Sequence, residues 1–292
     1  MKKLAILLIL LLIQNYTFSQ TKNASFPFKV EIRGKGDPVI LIPGLACSGE
    51  VWSQTVDSLQ KKYTCYILTL AGFTKQKPID INKGFLPIVQ EKIAEYIKNE
   101  LTEKPIIIGH SLGGFLILSI ASSHPHLVKK VIIVDSYPFS AAAMNPNATT
   151  ESTQSQAEML KKTLISLDDT SFEQQQQMTW KTMITHTDKI KLATKWSLES
   201  DRKTIAQAMY ELMTIDLRNK VQHIKCPILV LGSWYGLKDY GITKEMVKGN
   251  YDKQFKTAKH YSIKIAETAK HFIMWDDPDW FYQQVKRFLN NG

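Results

Sequence analysis

The sequence predicts an α/β protein in which a mostly parallel β-sheet is flanked by helices and carries an inserted helical segment. From about residue 28, short apolar runs alternate with helical patterns, which is typical of parallel strands joined by crossover helices. The runs are rich in Val, Ile and Leu at consecutive positions, as expected of strands that are covered on both faces. With 292 residues, of which 44% are hydrophobic, the chain is long enough for a full core.

Six strands are predicted from these runs, and helices fall between them. One helix is predicted over residues 88–101, where apolar side chains recur at helical spacing, another over 114–122, and a last one begins at Asp277-Pro278. Proline is common in the first turn of a helix because its missing N–H has no helical partner there. The predicted strands cover residues 38–42, 63–70, 105–108, 131–134, 228–231 and 261–265.

Residues 141–220 interrupt the alternation, since they contain no convincing strand. The segment opens with small and polar residues, and helical patterns follow over 156–166, 172–185, 189–198 and 204–217. We therefore expect a helical insertion at about 141–220 within one domain that spans residues 20–292.

The first 19 residues have the features of a cleaved secretory signal peptide. Two lysines precede an unbroken apolar run at 4–13, and residues 17–19 (Thr-Phe-Ser) supply a small-x-small cleavage site. A run of this length makes a helix of only ~15 Å, which is too short to cross a hydrocarbon core of ~30 Å. No cysteine stands at the cleavage point, which argues against a lipoprotein. We expect an exported protein, periplasmic or secreted, with no stable membrane insertion after cleavage.

Composition and charge argue against several other classes of partner. Lys and Arg total 37 against 27 Asp and Glu, a formal net charge of +10, but the lysines are scattered and no nucleic-acid motif occurs. No metal-ligand spacing such as C-x-x-C or H-E-x-x-H is present, so neither a metal nor a cofactor is expected. The three cysteines lie beside apolar runs and are expected to be buried free thiols: Cys47, Cys65 and Cys226. The oligomeric state is left open.

A nucleophilic serine is predicted where the run at 105–108 meets the next helix. The segment Gly109-His110-Ser111-Leu112-Gly113 fits the pattern G-x-S-x-G between a strand and a helix. The sharp turn strains the serine backbone, so the residues two positions away must lack side chains, as both glycines do. Such a turn exposes Ser111 Oγ at the sheet edge beside the unpaired N–H groups of a helix N-terminus. The alternative is a glycine-rich corner with an idle serine.

A serine hydroxyl needs a base that takes its proton and a third group that orients the base. Of the seven histidines, His271 is favoured, because it follows the predicted strand 261–265 by a short loop. In an open parallel sheet, that loop lies at the same edge as Ser111. The residues after His271 are apolar and would hold the ring by packing. A loop histidine with a purely structural role is the alternative.

Two aspartates could orient this base, since both follow predicted strands. Asp239 lies in the loop after 228–231 and agrees with the chain order serine, acid, histidine, so it is favoured as the acceptor of the His271 Nδ1–H. Asp135 comes directly after 131–134 and is the alternative acid. Whichever aspartate is not used is expected to cap backbone N–H groups in its loop.

The negative oxygen that forms during serine attack must be held by preorganised N–H donors. One donor is expected to be the backbone N–H of Leu112, the residue after the nucleophile. The other is expected in the loop after 38–42, where Leu45 is the first choice and Ala46 the second. Gly44 would let this loop approach the serine closely.

With these motifs, nearly all of the mature chain resembles the α/β-hydrolase superfamily. The resemblance implies the α/β-hydrolase fold, with helical cap segments inserted where 141–220 lies. Three departures stand out: Pro43 replaces the usual histidine, Thr69 and Thr74 replace an Asp and a Gly, and the acid loop carries a larger insert at 234–237. The matching segments are Pro43-Gly44-Leu45, 70–73, Gly109–Gly113, 227–232 with Lys238-Asp239, and His271-Phe272 with Pro278.

The resemblance implies a serine hydrolase that cleaves a carboxylic ester through an acyl-enzyme. The expected partner is a small-molecule ester or amide, held in an apolar pocket beneath the cap. An aminopeptidase or amidase would use the same three residues, as would a lyase or perhydrolase. A binding protein that kept the fold and lost the chemistry is the alternative from a different class. The serine at position 111 argues against dehalogenases and epoxide hydrolases, which need a carboxylate nucleophile at that place.

Overall fold

A computed structural model describes residues 26–290, so the predicted signal peptide at 1–19 lies outside the described residues. This part of the chain contains a seven-stranded sheet with the strand order β1-β3-β2-β4-β5-β6-β7. The outermost strand β1 is antiparallel to β3, and the other neighbours are parallel. In chain order the strands are β1 (Phe28–Gly34), β2 (Asp37–Ile42), β3 (Tyr63–Leu70), β4 (Ile106–His110), β5 (Lys130–Val134), β6 (Ile228–Gly232) and β7 (Tyr261–Ile265).

The predicted α/β class is confirmed, and the six predicted strands correspond to β2 to β7. The sequence does not predict β1, and the physical reason is its position. As an edge strand it exposes charged side chains, among them Lys29, Glu31 and Arg33, and so lacks the continuous apolar run that marks the buried strands. Its pairing with β3, from Phe28 opposite Leu70 to Gly34 opposite Thr64, adds an antiparallel edge.

Helices connect the strands and cover both faces of the sheet. The helix α8 is not predicted from the sequence, because it is largely polar and has a glycine, Gly249, in its interior. Within residues 26–290, no helix combines the length and apolar character needed to cross a bilayer. The helices are α1 (Ser53–Leu59), α2 (Leu86–Glu100), α3 (Leu112–Ser123), α4 (Thr150–Ser166), α5 (Asp169–Met183), α6 (Thr187–Leu198), α7 (Arg202–Thr214), α8 (Lys244–Phe255), α9 (Ile273–Asp276) and α10 (Pro278–Asn290).

The apolar runs form strands because each strand divides its side chains between two buried layers. In β2, Val39 and Leu41 pack in one layer, whereas Ile40 and Ile42 pack in the other. All four side chains are fully buried. Since successive side chains on a strand point to opposite faces, a strand covered on both sides must be apolar at every position. This explains why the runs are continuous rather than alternating.

Helices α4 to α7, residues 150–214, lie between β5 and β6 and are called the cap below. The predicted insertion therefore contains four helices and no strand in the described structure. Backbone hydrogen bonds join the cap to the turn after β3, with Asp201 N–H donating to Gly72 O (2.6 Å) and Lys75 N–H to Glu199 O (2.8 Å). The cap is thus docked on the sheet domain through specific contacts.

The buried Glu211 makes a polar contact between the cap and the sheet domain. Its side chain lies on α7 and accepts hydrogen bonds from the backbone N–H groups of Phe85 (2.8 Å) and Leu86 (2.6 Å). These groups begin α2 and have no partner within that helix. The carboxylate also carries the charge that a helix N-terminus favours. Glu211 therefore caps a helix of the sheet domain from the cap.

We expect Glu211→Ala to lower the free energy of unfolding by about 1–3 kcal/mol, because it leaves two buried N–H groups without an acceptor. The matched control is Glu158→Ala on α4, where the side chain is exposed and the change should stay within about 0.5 kcal/mol. Urea denaturation of both variants measures the difference. Equal stability of the two variants would contradict this role of Glu211.

Candidate active site

Ser111 lies in the predicted sharp turn between β4 and α3. Its backbone has φ 51° and ψ −117°, a conformation that side-chain-bearing residues rarely adopt. The flanking residues Gly109 and Gly113 must be glycine because a side chain at either position would clash with neighbouring backbone. A Cβ at Gly109 would come within 2.5 Å of the Gly113 backbone, and a Cβ at Gly113 within 2.3 Å of Ile42 O. The G-x-S-x-G spacing therefore follows from the closeness of β4, α3 and β2.

His271 follows β7 and faces the same two cavities as Ser111. Its Nδ1 lies 2.7 Å from Asp135 Oδ2, and the two side chains are only 20% and 10% exposed. The ring also packs edge-on against Phe272, with centroids 5.6 Å apart. Because Nδ1–H is committed to the carboxylate, Nε2 is left with its lone pair available. The structure thus brings together two of the predicted residues, His271 and the alternative acid Asp135.

Asp135 is held at the end of β5 by four hydrogen-bond partners. Its Oδ1 accepts from Ser233 N–H (2.8 Å) and Tyr251 O–H (3.0 Å), and its Oδ2 accepts from Ser233 Oγ–H (2.6 Å) and His271. Its backbone has φ 46°, again a strained value for a residue with a side chain. Four hydrogen bonds to one carboxylate fix its orientation.

The expectation that Asp239 is the partner of His271 is wrong. Asp239 lies in a 3-10 turn, Tyr235–Tyr240, and its side chain is exposed. The residue that follows β6 is instead Ser233, which donates to Asp135. Because β5 and β6 are parallel neighbours, their carboxyl ends lie at one edge and either could supply the acid. The sequence order alone does not distinguish between them.

Tyr251 and Ser233 are site residues that the sequence analysis missed. Tyr251 comes from α8, is fully buried, and stacks on Tyr137 with ring centroids 4.0 Å apart. Burial, together with the negative charge of Asp135, raises the pKa of Tyr251 well above its usual value, so it remains a hydrogen-bond donor. No sequence motif marks either residue, since a tyrosine in an unpredicted helix has no recognisable spacing from Ser111, Asp135 or His271.

The loop after β2 carries the predicted oxyanion donors to the side of Ser111. Leu45 and Ala46 line a cavity together with Ser111, and Ala46 has a positive φ of 55°. The turn is closed by a hydrogen bond from Cys47 N–H to Gly44 O (3.2 Å). Leu112 is the first residue of α3, so its N–H has no partner within the helix. Both predicted donor positions, in the loop after β2 and at the start of α3, therefore lie beside Ser111.

Cys47 also lies in this loop, but it is not suited to act as a nucleophile. Its thiol is buried and donates to Leu45 O at 3.3 Å. Burial raises the pKa of the Cys47 thiol to about 12, so the reactive thiolate is not populated at neutral pH. Cys65 and Cys226 are buried and unpaired as well, which confirms the expectation of free thiols.

His110 precedes Ser111 in the turn between β4 and α3, and its ring contacts both the segment of His271 and the loop after β2. Its fully buried ring packs on His271 and Phe272, with centroids 4.5 and 4.4 Å apart, and its Nε2 lies 3.1 Å from His271 O. A Cβ at Gly44 would lie 2.9 Å from His110 Nδ1, so the oxyanion loop rests on the same ring. Burial, with the neighbouring His271 as a second cause, lowers the pKa of His110 well below its usual value. A neutral His110 thus supports both the base and the oxyanion loop.

Comparison with known proteins shows the family of this chain. The model of the family described as "alpha/beta hydrolase fold" matches residues 37–222. A pimeloyl-[acyl-carrier protein] methyl ester esterase of Vibrio campbellii is 25% identical over 260 residues, which cover 87% of this chain and 95% of that protein.

Solved structures of hydrolases share the fold at low sequence identity. A hydrolase from Pseudomonas aeruginosa superposes with a TM-score of 0.75 at 12% identity, covering 90% of this chain and 94% of that one. An esterase from Exiguobacterium antarcticum gives a TM-score of 0.73 at 16% identity, covering 90% and 96%. Likeness at this level of identity concerns the fold.

We expect the stability of the wild-type protein to fall as the pH drops below about 6.5, where an unfolded histidine takes up a proton and the buried His110 does not. A lowered folded-state pKa means that this contribution is complete above the unfolded pKa and is lost at lower pH. His110→Gln should lack this part of the pH dependence. Urea denaturation of both proteins at about pH 5.5 and 7.5 measures it. Parallel pH profiles for the two proteins would refute the assignment.

Proposed function

The chain belongs to the α/β-hydrolase fold family as an esterase-type hydrolase, and we propose that it cleaves carboxylic esters with a Ser111–His271–Asp135 triad. One observation carries the proposal. The His271 ring makes a 2.7 Å contact with a fourfold hydrogen-bonded carboxylate while facing the cavities that border the strained Ser111. This is the set of nucleophile, base and orienting acid that acyl transfer requires.

In the proposed reaction, Ser111 Oγ attacks the ester carbonyl carbon while His271 Nε2 takes the hydroxyl proton. Asp135 stabilises the imidazolium that forms. The carbonyl oxygen becomes negative and accepts hydrogen bonds from the Leu112 N–H and the Leu45 loop. When the tetrahedral intermediate collapses, His271 returns the proton to the leaving alkoxide, so an alcohol departs and an acyl-serine remains. Water, deprotonated by His271, then releases the carboxylic acid and restores Ser111.

The strained backbone supports catalysis over a purely binding role. A positive φ at a residue with a side chain costs about 1–3 kcal/mol, and Ser111 and Asp135 both carry one. A binding protein would gain nothing from holding a hydroxyl and a carboxylate in strained conformations on either side of one histidine. The curated relative from Vibrio campbellii is named as a methyl ester esterase. This favours an ester substrate over an amide for the same triad.

We expect Ser111→Ala to abolish labelling by a fluorophosphonate probe and to reduce the kcat for p-nitrophenyl acetate by at least about a thousandfold. The reason is that Ser111 Oγ is the atom that forms the acyl-enzyme in the proposed reaction, so its removal leaves no attacking group. Ser166→Ala, an exposed serine of the cap, is the control and should leave both readouts unchanged. Unaltered turnover by Ser111→Ala would exclude this nucleophile. If matched amides are cleaved as fast as esters, the enzyme is an amidase rather than an esterase.

We expect Asp135→Asn to lower kcat by at least about a hundredfold with little change in KM, since an amide at this position disfavours the required tautomer and leaves the imidazolium unsupported. The matched variant Asp239→Asn should keep kcat within about twofold, because that side chain is exposed. Steady-state kinetics of the two variants decide between the acids. Loss of activity in Asp239→Asn alone would assign the acid to the loop after β6.

A further inference from the structure

Two cavities meet at Ser111, one under the cap and one on the side of the acid. The cap cavity has a volume of about 310 Å³ and lies between the oxyanion loop and the cap. The acid-side cavity has a volume of about 430 Å³ and lies between Asp135 and the start of α8. Both volumes fall within the ~300–1,000 Å³ range of small-ligand pockets. A bound ester therefore has space on both sides of its carbonyl carbon.

Apolar side chains form most of the wall of each cavity. In the cap cavity they include Trp180 of α5 and four residues of α4 and α7: Leu160, Leu164, Ile205 and Met209. In the acid-side cavity they come from the loop after β6 and from α8 with the residues just before it: Trp234, Leu237, Ile242, Met246 and Val247. Transfer of hydrocarbon from water into such a site is favourable because it removes apolar surface from water.

The two cavities are separated by side chains that line both of them. Met183 at the end of α5 and Leu212 on α7 belong to both walls, as do the nucleophile and the base. Ser140 also lines both, and its hydroxyl donates to Leu212 O at 2.5 Å, which ties this divider to the cap. An ester that fills both cavities therefore places its acyl group on one side of this divider and its alcohol group on the other, and these two groups are called its arms below.

The walls offer no positive charge to an anionic substrate. Among the described lining residues there is no lysine or arginine, and the one carboxylate, Asp135, is occupied by its four donors. Lysines close to the site are engaged elsewhere: Lys270 Nζ donates to Lys181 O at 2.8 Å, and Lys244 forms an ion pair with Glu267. A carboxylate buried in either arm would lose its hydration without gaining a partner.

Resting on the proposed esterase function, we propose that the substrate is an uncharged ester with an apolar group larger than methyl on both its acyl and its alcohol side. A methyl group takes up about the space of one water molecule, ~30 Å³, and would leave a cavity almost empty. Two filled cavities bury more apolar surface than one. The enzyme should therefore discriminate by how hydrocarbon is distributed around the ester, and it should reject carboxylate-bearing esters.

Three isomeric esters test this distribution directly: methyl octanoate, heptyl acetate and butyl pentanoate. They have the same atomic composition and differ only in how many carbons lie on the acyl side and on the alcohol side. A difference in kcat/KM therefore reports which distribution of hydrocarbon the enzyme prefers. We expect butyl pentanoate to exceed each of the other two by at least about tenfold. Methyl octanoate and heptyl acetate are the one-armed isomers, since each carries only a methyl group on one side of the ester. A higher kcat/KM for either of them would overturn the proposal.

Matched tryptophan variants assign the arms to the cavities. Met209→Trp fills the cap cavity, Met246→Trp fills the acid-side cavity, and Met178→Trp is the control, since its exposed side chain lines neither. Each filled cavity should lower kcat/KM at least about tenfold for one of the two one-armed isomers and leave the other within about twofold. Leu160→Phe, on another cap helix, should reproduce the effect of Met209→Trp. If both cavities affect the same isomer, or neither isomer, the two-arm model is wrong.

A charged analogue tests the second part of the proposal. Monobutyl glutarate differs from butyl pentanoate in having a carboxylate in place of the terminal methyl group, and its kcat/KM should be at least about a hundredfold lower. Equal or faster cleavage would overturn the inference of an uncharged substrate. Fluorophosphonate labelling of Ser111 is measured in parallel. Labelled enzyme with the wrong ester preference refutes this inference alone, whereas absent labelling refutes the proposed function.

Discussion

The site depends on one constraint, the parallel alignment of β3, β2, β4, β5, β6 and β7, which brings their carboxyl ends to a single edge. Parallel pairing is stable here because both faces of the sheet are covered, which in turn requires strands that are apolar throughout. Ser111 follows β4, Asp135 follows β5, Ser233 follows β6 and His271 follows β7. Segments far apart in the chain therefore meet without any long excursion of the backbone.

Strain at this edge is sustained by hydrogen bonds that continue the sheet. Ser111 and Asp135 both have positive φ, yet Ser111 N–H donates to Val134 O at 2.9 Å and Asp135 N–H to Leu231 O at 2.7 Å. The strained residues thus remain part of the ladder, and their side chains turn out of it toward the cavities. At about 1–3 kcal/mol each, such strain needs a rigid surrounding structure, which the buried strands on either side supply.

Elements of this structure that have a distinctive sequence pattern can be predicted from the sequence, and elements without one cannot. The six parallel strands and Ser111 are predicted because continuous apolar runs and G-x-S-x-G each have one dominant structural meaning. The edge strand β1 is missed because its charged residues hide the pattern, and α8 because of its glycine and polar surface. Asp239 is predicted as the partner of His271 because two aspartates follow adjacent strands, and only the three-dimensional contacts of Asp135 to His271, Ser233 and Tyr251 separate them.

The cap is joined to the segment around His271 as well as to the cavities. Phe272 N–H donates to Met183 O at 3.4 Å, and the Asp276 carboxylate accepts from Thr185 N–H at 3.1 Å and from Lys270 N–H at 3.0 Å. Phe272, which follows His271, is therefore bound to the last residue of α5. Lys270, which precedes His271, is bound to the Asp276 carboxylate, and this carboxylate also binds Thr185 just after α5. A displacement of α5 would move the divider residue Met183 and strain the His271 loop together. Hydrogen bonds of the cap and of the residue just after α5 thus reach the segment that holds His271, and Met183, which takes part in them, also lines both cavities.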